Sequence, residues 1–293
     1  MVVDAFLKPI LVVGGTGRQG GAVLSSLLTL SPSTPLRALT RNTNSPAALK
    51  LKENGVEVVQ GDLGDVGSLK RALNGVGAVF LVTTPPANSS SLPERTQAAN
   101  LLSALPSPPP FLVFSSVSGT STSSPVPKFA AKAFIEEDLA AAKKEKGLEF
   151  AVVAPSMFYD LFPRQAGRKA ALLLGLMEAV VGEKKEVKMV ASEDIGHFAA
   201  TFLLAPSTSS GRRLPLASSS HTMFSLACLY SAASPSGKPQ GKTWIPQWVV
   251  RWLMPKMLVD MMRHESEGDV EVLRRDWSGL KSFEEYLQKG KEE

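Results

Sequence analysis

The chain has 293 residues, 44% of them hydrophobic, which is enough to bury a sizeable core, and its 32 Lys and Arg against 27 Asp and Glu leave a formal charge of +5. The basic residues fall in scattered pairs such as Lys184-Lys185, Arg212-Arg213 and Arg274-Arg275, a pattern of solvated surface that argues against direct nucleic-acid binding. Cys228 is the one cysteine, so an intramolecular disulfide and a thiolate zinc site are excluded, and His197, His221 and His264 show no metal-ligand spacing, so no metal is expected.

The first apolar stretch, Ala5 to Val13, lacks a basic leader, contains Lys8 and Pro9 and runs straight into glycines. It predicts a strand over Ile10 to Val13, not a signal peptide. Gly14-Gly15-Thr16-Gly17-Arg18-Gln19-Gly20 follows at once, and a helix-forming run, Gly21 to Leu28, follows that. Strand, glycine-rich turn and helix in this order read as a phosphate loop, the alternative being a tight strand-to-helix turn with no ligand: one glycine permits the turn, the middle one lets the main chain approach a pyrophosphate, and the last lets helix pack on strand. The helix N-terminus then offers N–H groups to the anion, and the absence of a Gly-Lys-Ser/Thr ending favours a dinucleotide over a nucleoside triphosphate.

The second strand, Leu36 to Thr40, ends in Thr40-Arg41-Asn42 with no acidic residue to hold a ribose 2′-hydroxyl. Arg41 instead offers a planar fork to a 2′-phosphate, with Arg18 as a second cation, so NADP(H) is the expected cofactor; each arginine also reads as an ordinary surface charge. The third strand, Val56 to Gln60, leads into Gly61-Asp62-Leu63, where Asp62 is either an adenine-side carboxylate or a turn residue. The fourth, Ala78 to Val82, ends at Thr83 and Thr84, near where a nicotinamide ribose belongs.

Prolines forbid helix from Ala104 to Pro110, and a fifth strand follows over Phe111 to Ser115. Ser118 to Pro127, rich in Ser, Thr and Pro, leaves its carboxyl end as a rim over a substrate or as a plain surface loop. A helix over Phe129 to Ala142 carries Lys132, and a sixth strand spans Glu149 to Ala154. After Pro155 the alternation fades. Apolar runs at Ala170 to Val181 and Trp244 to Met262 read as helix; in the second, Arg251, Pro255, Lys256 and Asp260 interrupt any membrane span, and Trp244, Trp248 and Trp252 share one helical stripe. A short amphipathic helix over Phe283 to Leu287 packs back on the body.

The fold class that follows is α/β: a Rossmann-type doubly wound parallel sheet over residues 1–155, then a smaller, mainly helical, substrate-facing portion over 156–293 with some segments returning to the core. A cytoplasmic protein with a small-molecule substrate is expected, and a homodimer or protein partner stays open.

The loop and Arg41, together with Gly61-Asp62, Phe80 to Thr83, Phe114-Ser115-Ser116, Lys132, Ala154-Pro155, Phe158-Tyr159, Ser192 to Gly196 and the terminal helix, resemble the NmrA-like family of atypical short-chain dehydrogenase/reductases. The resemblance covers essentially the whole chain. It implies an NADP(H) site formed by Gly14, Thr16, Gly17, Arg18, Gln19, Gly20, Arg41, Asp62, Leu63, Thr83, Lys132, Pro155 and Phe158. It also implies one of two roles: an isoflavone-reductase-like enzyme using a lysine near the nicotinamide, or a redox sensor acting through protein partners.

The wider superfamily pairs a tyrosine with a lysine four residues on, and here Lys128 stands in the tyrosine's place before Lys132. The candidate catalytic residues are therefore Lys132 as ribose ligand or proton donor, Ser116 or Ser118 to polarise a carbonyl, and Tyr159, whose alternative is an aromatic packing role. The reductase reading takes an apolar carbonyl or enone-like substrate, and the sensor reading is supported by the missing tyrosine.

Overall fold

The computed structural model describes residues 8–85, 93–234, 241–246, 259–260 and 266–289. It divides into two compact units. The first comprises 1–122, 128–154 and 195–214, and the second 123–127, 155–194 and 215–293.

In the first unit strands and helices alternate: β1 (Ile10–Val13), α1 (Arg18–Leu30), β2 (Leu36–Thr40), α2 (Pro46–Glu53), β3 (Glu57–Gln60), α3 (Val66–Ala72), β4 (Ala78–Leu81), α4 (Glu94–Ala104), β5 (Phe111–Ser115), α5 (Pro127–Lys146) and β6 (Phe150–Pro155). β1 through β6 are joined by parallel pairings, and their order is β3-β2-β1-β4-β5-β6. The order reverses between β1 and β4, which puts a crevice outside the carboxyl ends of the central strands. β1, β4 and β5 are buried along their whole length, as helix-covered parallel strands must be. Their side chains join Leu69, Leu101, Ile135 and Leu139 from the helices in one core.

A seventh strand that the residue pattern did not suggest, β9 (Arg213–Leu216), takes the edge beside β6. Pro215 inside it explains both facts: proline cannot donate to a ladder, which hides the strand pattern and confines it to an edge. Two further helices, α7 (Ser192–Leu204) and α8 (Pro206–Ser209), precede it.

The second unit is mainly helical, as expected, and adds strands that the residue pattern did not suggest. It holds a small sheet of β7 (Met157–Phe158), β8 (Val187–Val190) and β10 (Ser219–His221) in the order β10-β8-β7. Around it lie a 3-10 turn (Tyr159–Leu161) and helices α6 (Arg168–Val181), α9 (Met223–Ala233), α10 (Val270–Asp276) and α11 (Phe283–Lys289). Its core gathers Tyr159, Leu174, Met189, Leu226, Tyr230 and Phe283. The expected tryptophan stripe is corrected at Trp244, which is 83% exposed in a non-helical stretch; Trp248 and Trp252 lie outside the described residues. No described helix is long and apolar enough to cross a membrane.

Candidate functional site

The turn from β1 into α1 needs two of its glycines for itself. Gly14 sits at φ +68°, a left-handed conformation that L side chains rarely adopt, and its carbonyl accepts the Gly17 N–H at 2.8 Å. A Cβ on Gly20 would stand 2.2 Å from that same carbonyl oxygen. Gly17 is different. It is exposed, its φ is −93°, and a Cβ there would meet only the Gly14 oxygen, at 3.2 Å.

Gly17 is also the N-cap of α1, with no side-chain capping bond and no acidic residue in the first turn. The positive end of this 13-residue helix therefore carries no anion of its own. Arg18 is exposed beside it, Arg41 is exposed at the end of β2, and Thr16 in the turn is half-buried. This donor set suits a phosphate-bearing ligand. Gln19 points the other way, its Oε1 accepting from the Ser115 hydroxyl at 2.6 Å.

Asp62 is exposed and its carboxylate accepts the Gly64 N–H at 2.6 Å, a turn that shapes the β3 to α3 corner. The neighbouring Leu63 packs on the core and its carbonyl holds Asn100 at 2.8 Å.

At the ends of β4 and β5 the Lys132 ammonium comes to rest. It donates to Thr83 Oγ1 at 2.8 Å and to the Ser115 carbonyl at 3.3 Å, and it pairs with Glu94 Oε2 at 2.9 Å. It also lies 5.2 Å above the Phe114 ring. Thr83 in turn donates to Glu94 at 2.6 Å. Burial pulls the Lys132 amine below its usual range, and Glu94 opposes that pull.

Glu94 escaped the residue pattern because a glutamate in a first helical turn reads as an ordinary dipole-complementing charge. Gln97, one turn on, also went unread; it clamps Thr84 with bonds of 3.0 and 2.7 Å to its N–H and carbonyl.

Two candidate catalytic hydroxyls are occupied. Ser116 donates to Glu136, which Arg213 and Thr120 also hold at 3.0 and 3.2 Å, so this serine anchors the strand end; Ser118, fully buried, begins the same pinned loop. Tyr159 lies in the second unit with no exposed surface, its hydroxyl engaged with Ser219 Oγ at 2.8 Å and the Lys281 carbonyl at 3.1 Å. Burial pushes its phenol further above the usual range, an environment that fits the packing alternative. Pro155 ends β6, where the chain passes from the first unit into the second, and Phe158 sits in β7 opposite Val190, in the second unit. Among the described residues, no cluster of three His, Cys, Asp or Glu side chains is placed to hold a metal ion.

A model of the NmrA-like family matches residues 7–278. The chain belongs to this family. A (4-alkanoyl-5-oxo-2,5-dihydrofuran-3-yl)methyl phosphate reductase of Streptomyces griseus is 46% identical to this NmrA-like chain over 90 residues, which span 31% of this chain and 29% of that protein. The likeness to this curated relative thus covers less than a third of its length.

Among solved structures, the triphenylmethane reductase of Citrobacter sp. complexed with NADP(H) has a TM-score of 0.73 at 20% identity, over 96% of this chain and 99% of that one. The negative transcriptional regulator NmrA in complex with NADP has a TM-score of 0.69 at 19% identity, over 96% and 94% of the two chains. Both share the fold of this NmrA-like chain.

Proposed function

We propose that this NmrA-like chain binds NADP(H) at the turn between β1 and α1 and reduces a small, apolar carbonyl or enone-like metabolite. The observation that carries the reading is the seating of Lys132. Its ammonium is held at the carboxyl ends of β4 and β5 by Thr83 and Glu94, on the sheet edge from which the glycine turn also leaves.

The loop's open helix N-terminus takes the pyrophosphate, Gly17 leaves room for it, and Arg41 with Arg18 takes a 2′-phosphate. The bound dinucleotide supplies a hydride. Lys132 orients the ribose and holds a proton for the substrate oxygen on Nζ. The relatives support a conjugated acceptor, since one is named for reducing an alkanoyl-oxo-dihydrofuran phosphate and another is a triphenylmethane reductase.

A second reading, an NADP(H) sensor without turnover, is favoured by one specific feature. Lys128 stands where the superfamily's tyrosine belongs, and Tyr159 is buried with its hydroxyl engaged.

The test is NADPH oxidation against a panel of ketones, enones and quinones. Turnover that collapses in Lys132→Met/Glu94→Gln, with NADPH still bound, supports the reductase. Tight NADPH binding with no turnover across the panel transfers the assignment to the sensor.

A further inference from the structure

We propose that Glu94 is the positioning residue of the Lys132 site, a buried counter-ion that fixes the ammonium against Thr83 and keeps it charged. The inference rests on the reading of Lys132 given above and extends it to a residue on a different helix.

The geometry is that of an isolated pair. Glu94 is 2% exposed and Lys132 nearly as buried, at 11% for its side chain. Glu94 Oε2 takes both the Lys132 ammonium at 2.9 Å and the Thr83 hydroxyl at 2.6 Å. Its other oxygen, Oε1, is buried with no hydrogen-bond partner among the described residues. The carboxylate's charge is therefore not spread over a set of donors. Among the described residues it is balanced by one cation, and a buried charge without its partner is costly.

The reverse dependence holds for Lys132. The groups that meet its ammonium are Glu94 from α4, Thr83 and its carbonyl at the end of β4, and Ser115 and Phe114 of β5. Only Glu94 among them titrates. Glu136, on the same helix as Lys132, is committed to Ser116 and Arg213. Burial works to strip the proton from Lys132, and Glu94 is the group that opposes it.

A lysine that must hold a proton in a dry site needs such a partner, and α4 supplies it from the first turn after β4. The pairing also fixes how the lysine is to be probed. Truncating Lys132 alone strands a carboxylate in the core, so part of the loss in that variant belongs to Glu94.

The experiment labels lysine side chains with 13C at Cε and follows the Lys132 resonance against pH in the full chain without dinucleotide, for the wild type and Glu94→Gln. The pH at which Lys132 loses its proton is expected to fall by about 1–3 units in the variant. An unchanged titration overturns the proposal.

Should Glu94→Gln fail to fold, melting temperatures decide. Lys132→Met/Glu94→Gln is expected to melt above Lys132→Met, because the stranded carboxylate is gone, and equal or lower melting overturns the proposal. Both readouts are taken without NADPH, so a failure of NADPH to bind refutes the assigned function while leaving the Lys132 titration to stand or fall by itself.

Discussion

The Ser115 hydroxyl donates to Gln19 Oε1 at 2.6 Å, and the carbonyl of the same serine receives the Lys132 ammonium at 3.3 Å. One residue at the end of β5 thus ties the first turn of α1 to the lysine, so the turn and the amine are held in fixed relation. Replacing Ser115 with Ala removes the tie but keeps the carbonyl. It is expected to cost about 1 kcal/mol of stability and to weaken NADPH binding several-fold, read by chemical denaturation and by fluorescence titration. Unchanged NADPH affinity would show that Gln19 needs no such anchor.

The two outer glycines and the middle one are predicted to fail in different ways. Gly20→Ala puts a Cβ 2.2 Å from the Gly14 oxygen, so the backbone must move and stability falls by roughly 1–3 kcal/mol or more. Gly17→Val is expected to leave the melting temperature near that of the wild type yet abolish dinucleotide binding, because its side chain would fill the space proposed for the pyrophosphate. A Gly17→Val protein that still binds NADPH contradicts the loop assignment.

Arg41→Ala is expected to weaken NADPH about 10- to 100-fold with little change for NADH, the loss of a charge-assisted phosphate contact. Parallel titrations with the two dinucleotides measure it. A variant that keeps the wild-type preference places the discriminating cation elsewhere.

Tyr159→Phe separates packing from chemistry. Losing the bonds to Ser219 and the Lys281 carbonyl is expected to cost about 1–2 kcal/mol, with NADPH oxidation unchanged at a temperature where the variant is folded. A collapse of turnover without a loss of stability restores the phenol to the mechanism.

Asp194 sets a pH dependence in the second unit. It has no exposed surface, and burial pushes its carboxyl up to about 7 from an ordinary 3.8, although Ser218 and the Lys281 N–H donate to it and pull the other way. The folded state therefore binds this proton more tightly than the unfolded one. The stability it contributes is full below the unfolded value and is lost as pH rises through about 7. Asp194→Asn is expected to flatten the fall in melting temperature between pH 5 and pH 8 relative to the wild type. Parallel curves for the two proteins contradict the assignment.

How much of this was legible varies from element to element. The six strands of the first unit stand within a residue or two of where alternation and turn residues put them, since buried parallel strands leave apolar runs that are short and bounded by turn residues. The glycine turn was legible because the backbone angle at Gly14 and the close packing at Gly20 demand glycine. β9 was not, with Pro215 breaking its pattern, and β7 and β10, at two and three residues, are too short to show a period. At the site, Lys132 was visible through its position in the family resemblance, with Lys128 in the superfamily tyrosine's place, whereas Glu94 was not. Nothing local distinguishes a glutamate on a helix's first turn that faces water from one that folding carries into the core, and that difference decides the charge state of the lysine.

NADP(H) binding is measured by titrating the full wild-type chain with NADPH and with NADH by calorimetry at moderate salt. Saturable NADPH binding is expected, tighter than NADH by about tenfold or more. Failure of NADPH to bind would contradict the NADP(H) assignment.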